Sequence, residues 1–254
     1  MLRQLLINQC HILNTRPEPQ ATLNSEIIAL GGKVTALPLF QIIAKNNSWE
    51  LPALEKYDGA IFISKNAVTN FFSRFGQQAW PTKFATLAIG KATQAALAAR
   101  NITAQCSIEA TSESLLNLPI LQKAKKILLI KGENGRDILQ NTLKERGTMV
   151  ECLEVYQRVK IAYPKALINE IWQDDFIDII LFTSNEALEH IFTLFKEFNS
   201  WLHNKPCVVI SQRLARSARD KGIKTIFVTS PEEILQGLIN AHKKGCLHAS
   251  KYPR

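Results

Sequence analysis

The stretch IFISKNAVTNFF, Ile61 to Phe72, closes an apolar strand on a serine and opens a helix, and the chain writes the same unit again as LFTSNEALEHIF, Leu181 to Phe192. Phe62 answers Phe182, Ser64 answers Ser184, Ala67 answers Ala187 and Phe72 answers Phe192, with apolar pairs between them. A serine between an apolar run and a helical pattern signals a helix N-cap. Strand followed by helix, written twice, predicts parallel α/β layers.

The correspondence extends to both sides. IGKATQAALAARNI (89–102) answers ISQRLARSARDKGI (210–223), and ILNTRPE…LGGKVTALPLFQ (12–41) answers ILLIKGE…ERGTMVECLEVYQ (127–157), with a one-residue slip before Gly31 and Gly147. Arg16 thereby corresponds to Lys131, Pro17 to Gly132, Phe40 to Tyr156 and Gln41 to Gln157. A long period present only twice predicts duplicated domains and not a solenoid. Strands are expected at GAIFIS (59–64), TLAIG (86–90), KILLIK (126–131), IDIILFTS (177–184), CVVIS (207–211), TIFVTS (225–230) and in VTALPLFQI. The tail from Lys243, KKGCLHASKYPR, lacks periodicity and is expected to fray.

The chain has 254 residues, 46% of them hydrophobic, enough for one or two globular domains. Thirty-one Lys and Arg against 22 Asp and Glu leave +9, which favours anionic partners without choosing among them. The five cysteines, Cys10, Cys106, Cys152, Cys207 and Cys246, are scattered and never paired as C-x-x-C, so neither a disulfide framework nor a metal site is expected. Asn8, Gln9 and His11 interrupt the N-terminal apolar segment before it could serve as a signal peptide, and no run is long enough for a membrane span. The reading is a cytoplasmic protein with no membrane contact.

Arg16 stands directly before Pro17, which pushes it away from the α region, so it continues its strand and points from the carboxyl end. Ligands of open α/β sheets bind at that end. Small polar residues close the other strands: Thr15, Ser64, Gly90 with Thr93, Gly132 to Gly135, Ser184, Ser211 and Ser230. Each one singly reads as a helix cap; together they form rims of hydroxyls and N–H groups suited to anions. KGENGR (131–136) lacks the spacing of a phosphate loop, and Arg136 is open to two readings, a surface helix residue or a ligand contact. The histidines, His11, His190, His203, His242 and His248, sit beside no nucleophile. Tyr156, in EVYQR, adds a hydroxyl where the first repeat has Phe40; ring packing and chemistry both remain open for it.

The ordered series TRPEPQ, LGGKVTALPL, FISKNAV, AIGKAT, GENGRDIL, ERGTMVECLEVYQR and LFTSNEAL resembles the uroporphyrinogen-III synthase family over residues 12 to 240, EVYQR being its sharpest element. The resemblance implies two flavodoxin-like parallel α/β lobes joined by a two-stranded β-ladder, with a cleft between the lobes. One lobe would be 1–36 plus 158–254 and the other 42–152, with 37–41 and 153–157 as the ladder. The reaction implied is dehydrative cyclisation of hydroxymethylbilane to uroporphyrinogen III with inversion of ring D, by a monomer without cofactor.

In that reading Tyr156 is the candidate proton donor, and Arg16, Ser64, Thr93, Ser184, Lys131, Arg136 and Arg213 are candidate substrate contacts. ISQRLA (210–215) departs from the family, with Ser211 in place of glycine and Arg213 and Leu214 where hydroxyls are expected. Hydroxymethylbilane synthase, which makes the substrate, is a candidate for transient contact. The alternative is a non-enzymatic bilobal small-molecule-binding or regulatory module. A nucleic-acid partner is not expected, because Lys and Arg are spread along the chain and no basic helix stands out.

Overall fold

Short strands alternate with helices along the chain, and the inner strands Gly59–Phe62, Thr86–Ala88, Ile179–Phe182 and Cys207–Val209 are buried along their whole length, as strands covered on both faces are. The computed structural model describes residues 6–17, 20–45, 50–76, 80–81, 83–107, 112–133, 135, 137–173 and 175–249. In chain order these hold β1 (His11–Asn14), α1 (Ala21–Ala29), β2 (Lys33–Ala36), β3 (Phe40–Ala44), β4 (Gly59–Phe62), α2 (Lys65–Phe75), β5 (Thr86–Ala88), α3 (Lys91–Ala98) and β6 (Gln105–Cys106). Then come α4 (Ser112–Leu116), α5 (Pro119–Lys123), β7 (Lys126–Gly132), α6 (Ile138–Glu145), β8 (Met149–Lys160) and α7 (Lys165–Gln173). The rest is β9 (Ile179–Phe182), α8 (Asn185–Leu194), α9 (Asn199–Asn204), β10 (Cys207–Val209), α10 (Gln212–Asp220), β11 (Ile226–Val228) and α11 (Ile234–Ala249).

Two sheets result. The first has the order β11-β10-β9-β1-β2 and is parallel throughout. The second has the order β3-β8-β7-β4-β5-β6, parallel from β8 to β6. Alternate residues of each strand feed opposite cores, as the two-residue period dictates. In the first sheet Leu13, Ile180, Phe182 and Val209 join one cluster, and Ile12, Ile179, Leu181 and Val208 the other. In the second, Phe62, Leu128 and Ile130 face away from Ile61, Ile127 and Leu129.

The repeat is visible in local geometry. Ser64 Oγ accepts from Ala67 N at 3.0 Å and Ser184 Oγ from Ala187 N at 3.1 Å, each capping its helix. Gly31 and Gly147 adopt φ values of 86° and 84°, left-handed positions that glycine takes without steric cost.

Where the copies part, one residue explains it. VTALPLFQI was read as one strand, yet it breaks into β2 and β3 around Pro38, whereas its counterpart β8 runs unbroken for 12 residues. Proline has no N–H for a ladder; by the repeat, Glu154 occupies the matching position and keeps its donor. Leu37 and Leu39 are buried in the core of the first sheet, and their N–H groups bond Asn14 O and Thr15 O. The paired segments are therefore Phe40–Ala44 and β8, not 37–41 against 153–157. Lys45 N donates to Val155 O and Ile161 N to Leu39 O, a register that only antiparallel strands produce. The tail expected to fray from Lys243 instead continues α11 to Ala249, since proline is absent until Pro253 and the run is rich in helix formers.

The chain divides into two compact units, Met1–Gln41 with Val159–Arg254, and Ile42–Arg158. A fragment 42–158 is expected to fold alone with a cooperative urea transition, because it keeps both core clusters of the second sheet and loses only Val159 and Lys160 from the end of β8. An unfolded 42–158 beside a stably folded 1–120 would mean consecutive halves instead.

Candidate functional site

Parallel strands end together, so the residues that follow them share an edge. In the first unit β10, β9 and β1 are successive neighbours, which places Ser211 and Arg213, Ser184, and Arg16 along one carboxyl edge. Asn14, fully buried, orients the end of β1: its Nδ2 donates to Asn24 Oδ1 at 2.7 Å and its Oδ1 accepts from Arg16 N at 3.3 Å. Gln20 Nε2 donates to Arg16 O. Thr15, expected on the rim, is also buried and donates to Leu181 O at 2.5 Å, so its hydroxyl staples β1 to β9. The Arg16 guanidinium is half-buried, with no hydrogen bond or ion pair to any described residue. Burial pulls it below the usual arginine range. A partly desolvated cation at a strand end, unpaired among the described residues, is suited to an anion.

In the second unit the corresponding edge carries Ser64 after β4, Gly90 and Thr93 after β5, Lys131 and Gly132 ending β7, and Tyr156 on β8. Tyr156 Oη lies 3.0 Å from Ser64 Oγ. A shift of register between Lys131 and Gly132 sets Gly132 opposite Tyr156, and Glu133 N donates to Tyr156 O at 2.8 Å. A Cβ on Gly132 would sit 2.5 Å from Tyr156 Cε2, so only glycine admits the ring here. In the sequence Gly132 stood out only as a rim residue after its strand and as the partner of Pro17 in the repeat. Its signal was the double change of Pro17 to Gly132 and Phe40 to Tyr156, two departures that meet in space.

The other expected contacts separate. Lys131 is buried and its Nζ bonds Asp137 Oδ1 at 2.8 Å and Gly135 O at 3.5 Å. That hydrogen bond, with the ammonium charge, holds the Asp137 carboxyl below the usual range. Lys131 thus orders the loop after β7 and carries no spare charge, unlike Arg16, its counterpart in the repeat. Thr93 is buried, its hydroxyl without a bond to a described residue. Leu214, which replaces it in the second copy, is packed in the core, and Ser211 caps α10 by accepting from Leu214 N at 3.2 Å. Arg213 is exposed in the first turn of α10. Arg136 lies outside the described residues.

One supporting cluster had no sequence signal. Lys45 Nζ bridges Glu154 Oε2 at 2.8 Å and Glu133 Oε1 at 3.0 Å, and hydrogen bonds to both carboxylates raise its pKa. It ties β3, β8 and the loop beside Tyr156 together. A cavity of about 600 Å³ opens at the opposite, amino-terminal edge of the first unit, beside Asp178, Trp201, Lys205 and His242. It contains none of these site residues, and Lys205 there is paired with Asp175 at 2.6 Å. Among the described residues no cluster could hold a metal ion, and no helix is long and apolar enough to cross a membrane.

Comparisons with known proteins agree with this frame. A family model described as uroporphyrinogen-III synthase HemD matches residues 21–240. The uroporphyrinogen-III synthase of Escherichia coli K12 is 33% identical over 232 residues, covering 85% of this chain and 94% of that protein. That of Salmonella typhimurium LT2 is 32% identical over 231 residues, with the same coverage of 85% and 94%. Among solved structures, a mutant uroporphyrinogen III synthase of Thermus thermophilus superposes with a TM-score of 0.62 at 19% identity, covering 92% of this chain and 99% of that one. The Helicobacter pylori 26695 enzyme gives 0.62 at 16% identity, covering 93% and 99%; both likenesses concern the fold. With a family match across most of its length and relatives a third identical over nearly their whole chains, the chain belongs to the uroporphyrinogen-III synthase family.

Proposed function

We infer that the chain closes hydroxymethylbilane to uroporphyrinogen III in tetrapyrrole synthesis, with Tyr156 as proton donor and Arg16 as a carboxylate anchor. Family membership supports the reaction. The observation that carries the assignment of roles is the Tyr156 Oη–Ser64 Oγ contact of 3.0 Å above Gly132. Ser64 Oγ already accepts from Ala67 N, and the serine retains one proton to donate. Given to Tyr156 Oη, that proton leaves the phenolic proton free for the departing hydroxyl of the substrate. The amino terminus of α2 lies behind Ser64, so its dipole stabilises the phenolate that forms. No equivalent exists in the other copy, where Ser184 caps α8 but Phe40 has no hydroxyl.

Loss of water leaves an azafulvene cation, which the last pyrrole ring must attack from its inverted face. The uncatalysed reaction gives the unrotated isomer, so the grip on acetate and propionate groups matters as much as the proton. Arg16, Ser184 and Arg213 on one edge, and Ser64 and Thr93 on the other, supply that grip in this reading. The same reading makes the chain a cytoplasmic monomer that receives substrate from hydroxymethylbilane synthase.

The test is incubation with freshly made hydroxymethylbilane and separation of the isomers. The wild type is expected to give uroporphyrinogen III in excess of the unrotated product, and only the unrotated product would sink the reading. In the same assay Arg16→Ala is expected to raise KM several-fold with kcat nearly kept, the difference shrinking as salt screens the ion pair. An unchanged KM with lowered thermal stability would make Arg16 a structural residue.

A further inference from the structure

The exposed face of α10 is more basic than the spread of charge along the chain suggested. Arg213, Arg216 and Arg219 follow one another at three-residue intervals, all exposed and none in an ion pair with a described residue. Residues three apart are neighbours on a helix, so these charges repel along the row. Arg213 stands in the first turn, where the helix dipole also disfavours a cation. Asp220 lies on the same face, four residues after Arg216, and bridges none of the three. Lys221, by contrast, turns to the side and pairs with Glu189 of α8 at 2.6 Å.

The repeat shows that the fold does not require this row. The correspondence of 89–102 with 210–223 sets Ala92, Ala95 and Ala98 of α3 against Arg213, Arg216 and Arg219. One copy of the helix is built with three alanines where the other spends three arginines. The arginines therefore serve something outside the helix. The row starts at the carboxyl edge that holds Arg16 and Ser184, with β10 only two strands from β1. It runs about 9 Å down the helix from that edge. That distance is within the Debye length of roughly 10 Å at 0.1 M salt.

We propose that this row is a capture strip for the polycarboxylate substrate, an inference that rests on the reading of the function given above. Arg216 and Arg219 draw the anion to the edge and hold it near Arg213 and Arg16, without touching the reacting rings. Charge at this range acts on encounter and on binding and leaves the chemical step alone.

The experiment is the double variant Arg216→Ala/Arg219→Ala, whose alanines copy α3 and favour the helix. Isomer-resolved kinetics with hydroxymethylbilane at low ionic strength should show kcat and the isomer ratio unchanged and kcat/KM lowered about 3- to 10-fold. The gap should close at roughly 0.5 M salt, where the Debye length is only a few ångströms. Arg216→Lys/Arg219→Lys should retain the wild-type kcat/KM, because a field depends on charge and not on guanidinium geometry. A folded alanine variant with wild-type kcat/KM at low salt overturns the proposal, as does a loss that persists at high salt. Wild-type retardation of duplex DNA that the alanine variant abolishes, with its kinetics intact, would reassign the strip to nucleic acid and also overturn it. A wild type that forms no uroporphyrinogen III refutes the functional reading itself, and the control reveals this before any variant is compared.

Discussion

Tyr156→Phe is expected to fold as the wild type does and to lose about 10²-fold in kcat, the lower end of what general acid catalysis contributes. The ring is buried in the core cluster that also holds Phe62, Leu153 and Val155, and phenylalanine keeps its place there. What disappears is the hydroxyl 3.0 Å from Ser64 Oγ. A water or Ser64 itself can supply a proton less effectively, which is why the loss stays at the lower end. With the enzyme slowed, uncatalysed closure competes, so the share of the unrotated isomer should rise with the fall in rate. Ser64→Ala should weaken the same step less and also cost about 1 kcal/mol of stability, because it removes the cap on α2. Undiminished kcat in a well-folded Tyr156→Phe protein would leave ring packing as the whole role of that residue.

Gly132→Ala is expected to damage both stability and activity. The added Cβ would lie 2.5 Å from Cε2 and 2.9 Å from Oη of Tyr156, so either the ring leaves Ser64 or β7 leaves β8. Overpacking of this kind costs roughly 1–3 kcal/mol. If the ring moves, kcat falls as far as in Tyr156→Phe, since a proton donor displaced by about 1 Å is nearly as ineffective as one that is absent. The two changes should then be non-additive: Gly132→Ala/Tyr156→Phe should turn over no more slowly than Tyr156→Phe alone. Fully multiplied losses in the double variant would show that Gly132 acts through the loop of Lys131 and Asp137 and not through the tyrosine.

These residues also mark how far the amino-acid order is informative. The parallel α/β class, the duplication, the capping serines Ser64 and Ser184 and the glycine stops at Gly31 and Gly147 were legible, because each rests on a local rule of periodicity, capping or backbone freedom. Tyr156 stood out in the sequence as a break in that symmetry. The break at Pro38 follows from a local rule as well, the missing N–H, though the apolar run around it concealed the boundary between β2 and β3.

What the order of residues could not decide was which side chains neutralise one another. Arg16 and Lys131 are equivalent in the repeat, yet Lys131 is buried against Asp137 while Arg16 stays unpaired among the described residues. The Lys45 bridge to Glu133 and Glu154 joins residues about a hundred positions apart, and Gly132 meets Tyr156 only because β7 and β8 shift register at that point. Sequence by itself determined the strands, the caps and the twofold plan, since these depend on neighbours along the chain. Tertiary structure alone decided which cations are paired among the described residues and which hydroxyls lie together, because desolvation and pairing depend on neighbours in space.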